Sequence, residues 1–150
     1  MTTPRKRLIL ILGDQLDEDA SALRDVDPAH DTLWMAEVLE ESTHIPSSKQ
    51  RTTVFLSAMR HFAAHLQSRG WPLIYSQLDD AHNTGTLAGE LSKAIAQVQP
   101  HQLVMTAPGD WRVLQSLRAV AKQQGVPLEI RDDTHFFSTV RDFAAHAKDR

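Results

Sequence analysis

Residues 8–12 read Leu-Ile-Leu-Ile-Leu and are followed at once by Gly13-Asp14-Gln15-Leu16. Five apolar residues without polar alternation suit a strand buried on both faces, the situation of the interior of a parallel sheet. The Gly-Asp that ends the run marks a tight turn. In open parallel sheets, ligands bind in the crevice beyond the carboxyl ends of the strands. One short segment therefore sets the expected fold and the place where a small molecule would sit.

The rest of the chain repeats the theme. Further strands are predicted at Thr32–Val38, Leu73–Gln77, Leu103–Met105 and Leu128–Ile130, alongside Leu8–Leu12. Between Lys49 and Ser68, Val54, Met59, Phe62 and Leu66, joined by Phe55 and Ala58, recur at helical spacing. Gly70 and Trp71-Pro72 stop that helix. Helices are also expected from Thr86 to Val98, closed by Pro100, and from Asp110 to Gln124, closed by Gly125 and Pro127. A last helical pattern covers Thr139 to Ala147, while the acidic stretch Asp14–Asp31 reads as a long loop or a short helix. The alternation predicts an α/β fold: a doubly wound, Rossmann-like, five-stranded parallel sheet with helices on both faces, in one domain spanning residues 1–150.

Charge and cysteine content narrow the functional classes. The formal net charge is −3, so the chain lacks the basic excess of a domain that holds DNA alone. It has no cysteine, which excludes disulfides, thiolate nucleophiles and cysteine-ligated zinc or iron–sulfur sites within it. Arg5-Lys6-Arg7 before the first apolar run superficially looks like a signal peptide, but five apolar residues are too few for the hydrophobic region of one. No stretch reaches transmembrane length. A cytoplasmic location, with no membrane partner, is the expectation.

The first βα turn carries neither G-x-G-x-x-G nor G-x-x-x-x-G-K-[ST]. Asp14 stands where a phosphate would approach; its carboxylate repels phosphate but accepts hydrogen bonds from ring N–H groups or sugar hydroxyls. The crevice should thus favour an uncharged heterocycle or a polyol. Asp14 and Glu37 fall at the ends of the first two strands, where they could hold a polyhydroxylated ligand or act as acid and base. A solvated or helix-capping pair is the alternative. His61 and His65 share a helix face without the Glu of H-E-x-x-H, which reads as a surface pair rather than zinc ligands. Asp79, Asp80 and His82 precede Asn83-Thr84-Gly85 and read as turn and cap chemistry, with a divalent-ion site as the alternative. In Pro108-Gly109-Asp110-Trp111-Arg112, Asp110 is a candidate N-cap, and Trp111 either stacks on a ligand or locks the helix to the sheet. Ser57 and Ser138 lack a nucleophile elbow, so nothing supports a hydrolase.

Several segments together resemble a known family. They are Leu12-Gly13-Asp14-Gln15-Leu16, Met35-Ala36-Glu37-Val38, Ser57-Ala58-Met59-Arg60-His61-Phe62-Ala63, Leu78-Asp79-Asp80 with Asn83-Thr84-Gly85, and Pro108-Gly109-Asp110-Trp111-Arg112-Val113. In this order they resemble the amino-terminal domain of the deoxyribodipyrimidine photolyase-related proteins, the iron–sulfur bacterial cryptochromes and photolyases. The resemblance implies an antenna-binding domain, catalytically silent by itself, in a lyase-like flavoprotein that repairs (6-4) photoproducts or signals in blue light. Flavin adenine dinucleotide (FAD) and a 4Fe-4S cluster would belong to a carboxy-terminal helical domain, the partner of this one and absent from this chain. Damaged DNA would be met only through the full-length protein. The implied antenna is 6,7-dimethyl-8-ribityllumazine, held by Leu12, Gly13, Asp14, Gln15, Met35 and Glu37. No residue here is implied to make or break bonds, and no metal is implied in this domain. Pro46-Ser47-Ser48-Lys49-Gln50-Arg51 departs from the histidine-rich stretch of many relatives. The end at Arg150 implies an excised domain or a free-standing relative. Two other readings stay open. One is an interaction module that docks a flavin-binding domain through Trp111, Phe136 and Phe137 without a ligand of its own. The other is an adenine-nucleotide-binding domain, since doubly wound folds host many such sites.

Overall fold

A computed structural model describes residues 6–148. Strands β1 (Arg7–Leu10), β2 (Thr32–Ala36), β3 (Leu73–Ser76), β4 (Gln102–Thr106) and β5 (Leu128–Arg131) form one parallel sheet in the order β3-β2-β1-β4-β5. The helices are α1 (Leu39–Thr43), α2 (Lys49–Ser68), α3 (Leu87–Val98), α4 (Trp111–Gln124) and α5 (Val140–Ala147). This is the doubly wound α/β arrangement expected from the sequence.

Chirality explains which helix lies where. A right-handed crossover puts the connection on one face as the chain steps from β1 through β2 to β3, and on the other as it returns to β4 and β5. The two cores follow this division. On one face Ile9, Ile11, Leu33, Met35 and Val104 pack against Met59, Ala63 and Leu66 of α2. On the other, Leu8, Leu10, Trp34, Leu103 and Met105 pack against Leu91, Ile95, Leu117 and Val120 of α3 and α4. Successive strand residues feed opposite cores, so residues 8–12 are apolar at every position and all buried.

The structure departs from the sequence expectation at element ends. The β1 ladder stops at Leu10, although Ile11 still donates its N–H to the Trp34 carbonyl at 2.9 Å. Strand β2 ends at Ala36 rather than Val38, and α1 begins three residues on. Residues 14–31 form a loop with one 3-10 turn at Ser21–Leu23, whose Ala22 and Leu23 plug the α2-side core where a helix would otherwise lie.

Helix α2 also buries a narrower face than its pattern predicts. Met59, Ala63 and Leu66 are buried, whereas Val54 and Ala58 are exposed and Phe55 is 40% exposed. Length is the reason. Twenty residues of helix extend about 30 Å at 1.5 Å per residue, about twice the reach of a five-residue strand. The first turns of α2 therefore overhang the carboxyl edge of the sheet, which leaves Val54 and Phe55 exposed while Leu56 still reaches the core.

Candidate functional site

A cavity of about 280 Å³ opens at the carboxyl ends of β1, β2 and β4. It straddles β1, where the chain reverses its direction across the sheet, the position at which open α/β sheets bind ligands. Leu12, Gly13 and Asp14 form one wall, Ala36, Glu37 and Val38 a second, and Pro108, Asp110, Arg112 and Val113 a third. Glu41, His44 and Ile45 from α1 and the turn after it, with Phe55 and Met59 from α2, close the outer side.

The turn after β1 is shaped by close packing. A Cβ at position 13 would lie 2.6 Å from the Phe55 ring and 2.9 Å from the Met59 sulfur, so α2 approaches this turn closely because Gly13 is there. Asp14 is exposed and lines the cavity, and its carboxylate has no hydrogen-bond partner among the described residues. Gln15 points elsewhere. Its side-chain amide donates to the Ala107 carbonyl at 3.0 Å, tying the turn to the end of β4. Met35 lies wholly within the α2-side core. Of the six positions expected to hold a ligand, Leu12, Gly13, Asp14 and Glu37 border the cavity, while Gln15 and Met35 are not among its lining residues.

Glu37 is the centre of a polar knot. Its carboxylate is buried and accepts from Arg60 Nε at 2.8 Å, Arg60 Nη2 at 2.9 Å and the Leu78 N–H at 2.8 Å. The Tyr75 hydroxyl donates a further, short hydrogen bond. Those donors occupy the acceptor sites of both oxygens. Burial pushes the Glu37 carboxyl up, but the hydrogen bonds from Arg60, Tyr75 and Leu78 outweigh it and hold the group below its usual range. Burial and the adjacent carboxylate together raise Tyr75. The Asn83 side chain then donates to the Glu37 carbonyl at 2.7 Å and the Gln77 carbonyl at 2.8 Å, while its oxygen accepts from Gly85 N–H. Three segments far apart in sequence (35–38, 57–63 and 78–85) thus meet in one hydrogen-bonded cluster that fixes the carboxyl ends of β2 and β3.

The amino terminus of α4 faces the same cavity. The Asp110 carboxylate caps it, accepting from the Arg112 N–H at 2.7 Å. That bond, with the neighbouring guanidinium, holds the Asp110 carboxyl below its ordinary range. Arg112 reaches Glu41 at 3.1 Å, Asp110 at 3.2 Å and Glu40 at 3.7 Å, joining α4 to α1 across the cavity. Its Nε is buried without a partner. Trp111 is 70% exposed, so it does not lock α4 onto the sheet and stands instead on the surface at the first turn of the helix.

The other clusters have structural roles. His65 Nε2 pairs with Glu18 at 2.6 Å, and Arg69 joins the same carboxylate, so α2 is tied to the first loop. Asp80 accepts from the Gln77 N–H at 2.7 Å and Asp79 lies 3.4 Å from Arg60, in keeping with turn chemistry. Among the described residues no three His, Asp or Glu side chains are grouped so as to hold a metal ion. Sequence reasoning missed Arg60, Tyr75 and Arg112 as site-shaping residues. Arg60 and Arg112 lie in segments singled out above, but their partners are 23 and 71 residues away.

The sequence pattern of the deoxyribodipyrimidine photo-lyase-related proteins matches residues 9–150. The chain belongs to that family. It is also 38% identical over 144 residues to a (6-4) photolyase of Agrobacterium fabrum (strain C58 / ATCC 33970), a match covering 96% of this chain but 28% of that protein. The chain therefore spans about a quarter of the length of its photolyase relative. Within this photolyase-related chain, no described helix is long and apolar enough to cross a membrane.

Proposed function

We propose that this domain is the antenna module of a light-dependent photolyase or cryptochrome, and that its cavity holds 6,7-dimethyl-8-ribityllumazine. The reading is carried by one observation: the amino terminus of α4 and the Arg112 guanidinium, two places at this crevice where a phosphate could bind, already have carboxylate partners. Asp110 fills the amino terminus of α4, and carboxylates engage the Arg112 guanidinium. Helix termini and arginines are the usual anion donors of such sites. With them neutralised, and with Asp14 exposed on the wall, the part of the crevice between Asp14 and α4 favours an uncharged ring system bearing hydroxyls over a nucleotide; Arg51, which also lines the cavity, has no carboxylate partner among the described residues. The volume is near the small end of ligand pockets.

In this reading Leu12, Val38 and Phe55 form apolar walls, and Asp14 accepts hydrogen bonds from the ring or its sugar alcohol. Glu37 acts differently from Asp14. With its carboxylate filled by Arg60, Tyr75 and Leu78, it holds the wall rather than the ligand. When bound, the lumazine supplies blue-light absorption and passes the excitation on. The chain's own residues only bind it, orient it and set the polarity around it. FAD and the 4Fe-4S cluster belong to a carboxy-terminal helical body of the same cytoplasmic protein; the cluster needs thiolates, which this chain does not offer. That protein repairs (6-4) photoproducts or signals.

Titration with the lumazine, followed by absorbance and fluorescence, tests the proposal. We expect saturable binding with a spectral shift. Asp14→Ala should weaken it about tenfold, the worth of one hydrogen bond to a charged group. ATP should produce no calorimetric signal. Absence of lumazine binding, or equal binding by the Asp14→Ala variant, would refute the assignment.

A further inference from the structure

Helix α5 is fully formed, yet none of its residues is buried. Thr139 and Asp142 make a reciprocal capping box at its start, and Arg141 pairs with Asp132. Val140, Phe143, Ala144 and Ala147 recur at the i, i+3, i+4, i+7 positions of a single helix face. Yet every residue of α5 is exposed, Phe143 to 67%, and Phe136 and Phe137 just before it are exposed too. An apolar stripe on a helix with its own cap is a surface made to be covered.

This sheet does not cover it. On the α2-side face of β4 and β5, Glu129 accepts from both Gln102 and Arg131, and Arg131 reaches Asp25 at 2.6 Å. Asp25 in turn binds Arg7. An apolar helix laid there would bury a paired charge network, which is unfavourable. The opposite face carries α3 and α4. A second copy of the chain is a poor occupant as well. Stable association between separate chains buries about 1,200–2,000 Å² in total, far more than one face of an eight-residue helix. Small apolar contacts hold when both surfaces are linked in one polypeptide, where the effective concentration reaches roughly the millimolar range. The photolyase relative carries 72% of its length outside the matched region.

We propose that α5, with Phe136 and Phe137, is an intramolecular docking helix whose apolar stripe seats in an apolar groove on a second body of the same polypeptide. The inference rests on the two-body reading above but not on the identity of the ligand, so failure of lumazine binding leaves it standing. The test uses the protein produced at the full length of its own reading frame, with benzoylphenylalanine in place of Phe143 or, as a control, of Arg118 on α4. Irradiation should give a crosslink from position 143 to a segment outside residues 1–150, at a yield independent of protein concentration, with none from position 118. Phe143→Asp should speed amide exchange across residues 139–147 at least tenfold in that protein. A crosslink confined to residues 1–150, a crosslink between molecules that grows with concentration, no crosslink at all, or unchanged exchange in Phe143→Asp would each overturn the proposal.

Discussion

At the scale of single residues, Glu37 and Asp14 show how burial separates two carboxylates that look alike in sequence. Both follow a strand on its carboxyl side, and both are candidates for holding a ligand. Asp14 lies on an exposed turn with no bonded partner among the described residues, so it remains available. Glu37 is buried with four donors around it, so losing it strands an arginine, a phenol and an amide. Glu37→Ala should cost about 3 kcal/mol in chemical denaturation, because buried donors left without acceptors are expensive. The sign of the pH dependence follows from the same contacts. The folded-state group is held below the ordinary glutamate value of 4.5, so its contribution is fully present above that pH. It is lost as the pH falls through the lower folded-state value. Glu37→Gln should therefore flatten the acid limb of the stability profile below pH 4.5, measurable by urea unfolding at stepped pH. Asp25, lowered to about 2 chiefly by its hydrogen bond to Arg131, adds to the same acid limb. Gly13 is a second residue-scale determinant. Gly13→Val would drive side-chain atoms into Phe55 and Met59. It should cost about 2 kcal/mol by overpacking while narrowing the cavity, read as a lower denaturation midpoint together with weaker lumazine binding.

Elements are punctuated by capping groups, and there the sequence was a close guide. Thr86, Asp110 and Thr139 cap α3, α4 and α5, each at or beside the expected start. Gly125 closes α4 in the left-handed conformation. Helix α3 adds a constraint that pattern reading does not reveal. A Cβ on Gly89 would come within 2.7 Å of Thr84 Cβ, in the turn that Glu90 braces by accepting from the Thr84 N–H at 2.7 Å. Gly89→Ala should therefore lower the stability by about 1–3 kcal/mol, despite the better helix propensity of alanine, and thermal unfolding would register it. Helix α1 leaves no periodic trace in the sequence because it is five residues long and buries none of them. The exposed start of α2 is hidden for the opposite reason: its apolar residues keep helical spacing where the sheet has already ended.

For the whole molecule, exposed apolar side chains gather beyond the carboxyl ends of the strands. Leu39, Ile45, Val54, Phe55 and Trp111 all follow strand ends near the cavity, and Phe136, Phe137, Val140 and Phe143 follow β5. The opposite ends carry polar groups instead, with Arg7 bound to Asp31 and Asp25 at the start of β1. That asymmetry is what the docking proposed for α5 requires. Removing the stripe by Phe143→Asp in the 150-residue chain should leave its melting temperature within about 1 °C, because exposed substitutions away from packed features cost little. A larger drop on differential scanning would mean that α5 already packs on this domain.

Local chemistry was legible in the sequence by itself: continuous apolar runs for parallel strands, capping residues for helix starts, and the absent glycine cradle that speaks against a phosphate site. Those signals rest on contacts between near neighbours, or on a residue's own preference for burial or turn, so one chain suffices to read them. The family resemblance added segments that the residues alone did not connect. Only the tertiary structure decided that Arg60, Tyr75, Leu78 and Asn83 converge on Glu37, that Asp110 and Arg112 are spent on each other and on α1, and that α5 finds no seat on its own sheet. Each depends on which distant segments share a pole of the sheet. Strand order and crossover handedness set that, and no local pattern encodes it.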